Sequence, residues 1–124
     1  MSYNDLEKYI SYKFKNIELL DQALTHKSYD NKLNNERLEF LGDSLLNAVV
    51  SQYLYQRFSN EKEGLLTRMR AQLVKAETLT QKAEDLGLQD HIKLSKGTAN
   101  LSKDRKNSIL EDAFEAVIGA IFID

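Results

Sequence analysis

Apolar residues recur along this chain at intervals of three and four, the period at which side chains share one face of an α-helix. Leu6, Tyr9 and Ile10 predict a short first helix, and Ile17, Leu19, Leu20, Ala23 and Leu24 a second that opens on the capping residue Asn16. The third and longest runs from about Asn35 to Phe58. Gly64 falls in the following turn, and Leu65, Leu66, Met69, Leu73 and Val74 mark a fourth helix. Leu79, Ala83 and Leu86 mark a fifth, closed by Gly87 in a C-cap position. His91 to Leu94 is a short apolar stretch that could be extended, and Ser95 to Arg105 reads as a polar loop around Gly97. The last helix is expected to open on Ser108-Ile-Leu-Glu111, a capping-box pattern, and to continue through Ala113, Phe114, Val117, Ile118, Ile121 and Phe122. Proline is absent, no segment alternates with the two-residue period of a strand, and the predicted fold class is all-α.

Two of these helices break their own pattern with acids. Glu36, Glu39 and Asp43 stack about one turn apart on one stripe of the third helix, and Asp112 and Glu115 do the same on the last. Like charges at this spacing destabilise a helix by a few tenths of a kcal/mol per pair, and desolvating an unpaired carboxylate costs far more. A bound hard cation removes both penalties, so the pattern predicts a divalent-metal site assembled from two facing helices. Gly42 and Gly119 each sit inside a good helix at a cost of about 1 kcal/mol relative to alanine. Close approach of the two acidic stripes is the expected return.

Composition narrows the chemistry. The 124 residues suit one domain, with 42% apolar and 29% charged side chains in ordinary globular proportion. No apolar run is long enough to cross a bilayer and no leader pattern opens the chain, so the expectation is a cytoplasmic protein without a membrane partner. Without cysteine there are no disulfides, thiolate zinc sites or thiol nucleophiles, and two histidines are too few for an imidazole-rich cluster. A metal here must be held by oxygens, which selects magnesium, manganese or calcium. A net charge of −2 does not announce a nucleic-acid partner, although acids committed to cations would leave the remaining surface positive.

The run Asn35-Glu-Arg-Leu-Glu-Phe-Leu-Gly-Asp-Ser-Leu-Leu46 resembles the signature helix of the ribonuclease III endonuclease domain. Leu24-Thr-His-Lys-Ser-Tyr29, Glu63-Gly-Leu-Leu-Thr-Arg-Met-Arg70 with Leu73-Val74, and Ile109-Leu-Glu-Asp-Ala-Phe-Glu-Ala-Val-Ile-Gly-Ala120 are similar to neighbouring segments of that family, so the likeness spans residues 1–124. The resemblance implies the helical fold of that domain. It also implies metal ligation by Glu39, Asp43, Asp112 and Glu115, with Asp43 and Glu115 as catalytic residues and Glu36 and Glu63 as accessory acids. The implied reaction is hydrolysis of double-stranded RNA to 5'-phosphate and 3'-hydroxyl ends, with Mg2+ as cofactor and Mn2+ as a substitute, in the processing of ribosomal, messenger and other structured RNA. The implied assembly is a homodimer with Phe40 packed across the interface. Family members commonly continue into a further helix and a double-stranded-RNA-binding domain. With the last helix still apolar at Asp124, the chain reads as truncated before both.

Blander readings stand beside these. The acids of the last helix are also favoured by the helix dipole near its start, and Glu111 is explained by the capping box and left out of the site. His26 reads as a structural histidine or helix cap in preference to a general base, and Lys103, Arg105 and Lys106 as a solvated loop with phosphate contact as the second choice. Arg68 and Arg70 either reach a phosphate or bridge helices. The loop from Gly97 to Lys106 lacks a glycine pair often found in the family, which leaves its RNA contacts open. The rival functions are a catalytically inactive RNA-binding or ribonucleoprotein-assembly module of the same fold, and a helical interaction protein whose acids meet a basic partner.

Overall fold

A computed structural model describes residues 3–98 and 101–124. Its helices are α1 (Asn4–Ile10), α2 (Ile17–Ala23), α3 (Glu36–Arg57), α4 (Glu63–Leu73), α5 (Ala76–Asp85) and α6 (Lys103–Ile123). Single 3₁₀ turns lie at Leu88–Asp90 and Lys96–Thr98. No strand forms among the described residues; one isolated parallel bridge joins Thr25 to Lys93. The stretch expected to be extended is therefore that single bridge, fastened by His26 N donating to Lys93 O and Lys93 N to Leu24 O.

The helix ends follow local chemistry. Asn16 caps α2 by accepting the Glu18 N–H at 3.1 Å. Gly87 takes the left-handed conformation, φ 76°, immediately after α5, where a Cβ would be strained. Two expectations fail together at the last helix. It starts at Lys103 and not at Ser108, because Ser102 accepts the Arg105 N–H and serves as its cap. Residues 103–105 belong to this helix and not to the polar loop, and Ser108 lies inside it, so no capping box accounts for Glu111.

α3 and α6 are long, about 33 Å and 32 Å, and pack against each other along most of the core. Leu6, Leu20, Leu24 and Leu88 are fully buried around them with Ala113, Ala116 and Ala120 of α6. Burying each leucine contributes about 1.5–3 kcal/mol. Where α3 and α6 cross, only glycine fits. A Cβ on Gly42 would lie 1.7 Å from the Glu115 carbonyl oxygen, and one on Gly119 would lie 2.3 Å from that of Leu38. Beyond this crossing, α3 buries only Leu54 and α4 buries nothing, so the second half of α3 and α4 form an arm. Arg70 bridges that arm by donating to Ser51 Oγ at 2.8 Å.

Candidate metal centre

The glycine crossing decides where the acids go. With the two backbones in contact, the first turns of α3 and the middle of α6 present their carboxylates to a shared hollow of about 420 Å3, lined by Glu36, Glu39, Asp43, Glu111, Asp112 and Glu115 with Phe40 and Val74. Glu39, Asp112 and Glu115 each bring one oxygen within 4.8 Å of the others, a spacing that can hold a metal ion. Asp43, one turn along, is more open to solvent and lies close enough to act on the Glu115 carboxyl. Glu39 and Asp112 face each other in the same way. The arrangement is two cross-helix carboxylate pairs, one turn apart.

Among the described residues, ion pairs join Lys27 to Glu36, Lys75 to Glu77 and Lys93 to Asp21, and none reaches Glu39, Asp43, Asp112 or Glu115. Burial, with Asp43 against it, pushes the Glu115 carboxyl up to about 9. Burial and then the charge of Asp112 push Glu39 up to about 7. Asp112 is raised by burial, and Glu111 by burial with Asp112 and Asp43. Hard oxygen donors with a surplus of negative charge and no ion pair to a basic side chain form a donor set suited to a divalent cation such as Mg2+, Mn2+ or Ca2+.

The remaining acids separate. Glu36 borders the hollow and pairs loosely with Lys27 at 4.0 Å. Glu63 lies at the start of α4 in a different depression beside Tyr55 and Arg70, apart from the cluster within one chain. Glu111 is the residue that reading the sequence missed. Its signal was present, since it precedes Glu115 by four positions and so shares its stripe; the false cap concealed it. Phe40 stands at the rim, 78% exposed. His26 is half-buried, and burial and then the charge of Lys27 hold its imidazole below the usual range.

Comparison with known proteins agrees with this geometry. The family profile described as ribonuclease-III-like matches residues 16–124. Ribonuclease 3 of Shewanella baltica (strain OS155) is 54% identical over 115 residues, 93% of this chain and 50% of that protein. Ribonuclease 3 of Azotobacter vinelandii is 50% identical over 123 residues, 99% of this chain and 53% of that protein. The chain thus spans about half the length of the curated relatives it matches. A structure of the nuclease domain of ribonuclease III from Campylobacter jejuni, described for flexibility in a region involved in dimer formation, superposes with a TM-score of 0.93. It shares 45% identity and covers 98% of this chain and 85% of that one. Dicer from Pichia stipitis shares the fold more distantly, with a TM-score of 0.71 and 37% identity over 90% of this chain and 48% of that one. With its all-α architecture, its glycine crossing and its matched helices, the chain belongs to the ribonuclease III family.

Proposed function

We propose that residues 1–124 form one nuclease domain that hydrolyses double-stranded RNA with divalent-metal assistance, leaving 5'-phosphate and 3'-hydroxyl ends. The observation that carries this reading is the convergence of Glu39, Asp112 and Glu115, with Asp43 beside them, in a hollow where no ion pair reaches these four acids. Such a cluster is costly for a binding module to keep, because it would repel the polyanion it binds. That cost argues against the inactive RNA-binding alternative.

In this reading Glu39, Asp43, Asp112 and Glu115 hold Mg2+, for which Mn2+ substitutes. When bound, the ion supplies an activated water and neutralises charge building on the phosphorus and the leaving oxygen. Asp43 and Glu115 are the catalytic residues, with Glu36 and Glu63 in accessory roles. Loading requires Glu115 and Glu39 to release the protons that burial favours, so cation binding tightens as pH rises. Gly42 and Gly119 set the separation of the two acid-bearing backbones. The open rim admits a polymer backbone, which fits the processing of ribosomal and messenger precursors in the cytoplasm. No helix is long and apolar enough to cross a membrane among the described residues.

The assembly we propose is a homodimer. Along α3, Phe40 at the rim of the hollow and Val49, Tyr53 and Tyr55 on the arm are 56–78% exposed, apolar surface of the kind that marks an interaction site. The similar Campylobacter domain has a region involved in dimer formation, which supports the same use here.

The direct test incubates a long perfect RNA duplex with the chain in magnesium, in calcium and in chelator, beside Glu115→Gln. Magnesium-dependent cleavage that the variant loses by more than about 100-fold is expected, exceeding the usual loss for an outer-sphere partner. Tight duplex binding without cleavage would assign the chain to the inactive module instead.

A further inference from the structure

Beside the acid hollow lies a smaller pocket of about 120 Å3 that shares Glu36, Glu39 and Asp112 with it. At about 30 Å3 per water, it has room for a few waters or one tetrahedral oxyanion. Its other wall differs in character, being built from His26, Lys27, Arg105 and Ser108. The hydrogen bonds of His26 settle where its ring proton sits. Nδ1 accepts the Ser28 backbone N–H at 3.0 Å and lies 2.8 Å from Ser28 Oγ, which itself accepts the Ser95 N–H at 3.1 Å. With Nδ1 an acceptor, the neutral imidazole carries its proton on Nε2.

That proton is unspent, since Nε2 meets no protein acceptor among the described residues. Arg105 likewise makes no ion pair among them, and the Lys27 contact to Glu36 is long and exposed at both ends. A wall serving only to neutralise the acids would have closed onto Glu39 and Asp112. Instead an imidazole N–H, a guanidinium and an ammonium border a pocket contiguous with the candidate metal centre. Because the two pockets share three residues, adjacent phosphates of one strand can occupy both.

We propose that this pocket seats a phosphate of the RNA strand, one nucleotide from the bond held at the acids, with His26 Nε2–H and Arg105 as its donors. The proposal rests on the ribonuclease reading and assigns that site a substrate contact. Once cations neutralise the shared acids, the donors attract the strand and fix which phosphodiester faces the metal centre. Guanidinium and imidazole N–H groups suit the non-bridging oxygens of a phosphodiester.

Binding of a labelled RNA duplex, measured in calcium across a salt series with the duplex checked for intactness, tests this. Arg105→Ala should weaken binding and lower the slope of log affinity against log salt by about one. At position 26 the two amides separate the roles of the ring. Gln places its amide N–H near Nε2, whereas Asn can keep only the Nδ1 side that faces Ser28. His26→Gln should bind as the parent does and His26→Asn more weakly, with melting temperatures confirming that both fold. The reverse order assigns the ring to loop structure alone and overturns the proposal, as does an unchanged salt slope in Arg105→Ala. Inorganic phosphate at matched ionic strength is the second arm. If it raises the melting temperature of the parent but not of Arg105→Ala while the slope stays unchanged, the pocket takes free phosphate and not a strand. A parent that neither binds nor cuts duplex RNA removes the ribonuclease reading and this contact together; a parent that does both beside indifferent variants removes only the contact.

Discussion

Glu115 concentrates the electrostatic cost of this fold. It is buried on α6 with Asp43, Glu111 and Glu39 acting on it, and its carboxyl sits near 9 where its ordinary value is 4.5. Glu39 is raised from 4.5 to about 7. Both groups bind protons more tightly folded than unfolded, so they favour the folded state below pH 4.5 and lose that contribution as pH rises through 7 and then 9. The metal-free chain is therefore expected to melt at progressively lower temperature between about pH 5 and 9. Mg2+ should recover most at the alkaline end, because it binds the deprotonated folded state alone. Glu115→Gln keeps the shape without the charge. It should flatten the metal-free decline and remove most of the Mg2+ gain, both readable by thermal denaturation across a pH series; a parent whose metal-free melting temperature rises over this range would contradict the assignment.

The crossing of α3 and α6 is the element-level counterpart. Gly42 faces backbone, which cannot swing aside as a side-chain tip can. Gly42→Ala should cost at least the 1–3 kcal/mol usual for overpacking, about that or more in urea denaturation, and should also abolish stabilisation by Mg2+ because the acids are pushed apart. Gly64→Ala is the control. Its Cβ would meet open space within α4, so it should be neutral or stabilise by up to about 1 kcal/mol. At the other end of α6, the Asp124 carboxylate accepts hydrogen bonds from Tyr12 Oη and from the Lys15 and Asn16 backbone N–H groups. The Tyr12 hydroxyl bond and these N–H groups hold its carboxyl below the usual range, so this tie is present above 3.8 and is lost as pH falls. Asp124→Asn should speed hydrogen exchange in the connector between α1 and α2 while leaving the acid hollow intact.

Taken whole, the molecule is unevenly packed. α1, α2, α5 and α6 enclose the apolar core with the start of α3, whereas the arm of α3 and α4 displays aromatic residues to solvent. A second copy would cover them. Sedimentation of the parent is expected to show a dimer, and Phe40→Asp should shift it toward monomer with little loss of monomer stability, since Phe40 is largely exposed within one chain. If parent and variant both sediment as monomers, the arm serves another purpose.

The presence of the helices, the Asn16 cap, the Gly87 ending and the acidic stripes were legible in the residue order, because each depends on contacts within one or two turns of the chain, whereas the starts of α4 and α6 were not. The motif around Glu39 and Asp43 was legible for the same reason. What neighbouring residues could not disclose was how each stripe is covered. Phe40, which the resemblance placed at a dimer interface, and Val49 both stand exposed in the single chain, and the residue order alone did not say how far. Glu111 read as a cap and instead faces Asp112 and Asp43, because Ser102 started α6 earlier than expected. The side of His26 left without a partner depends on Ser28 and Ser95, the latter far along the chain. Periodicity assigns a side chain to a face; only the packing of α3 against α6 sets what that face meets, and with it the desolvation and like-charge proximity from which the candidate metal centre arises.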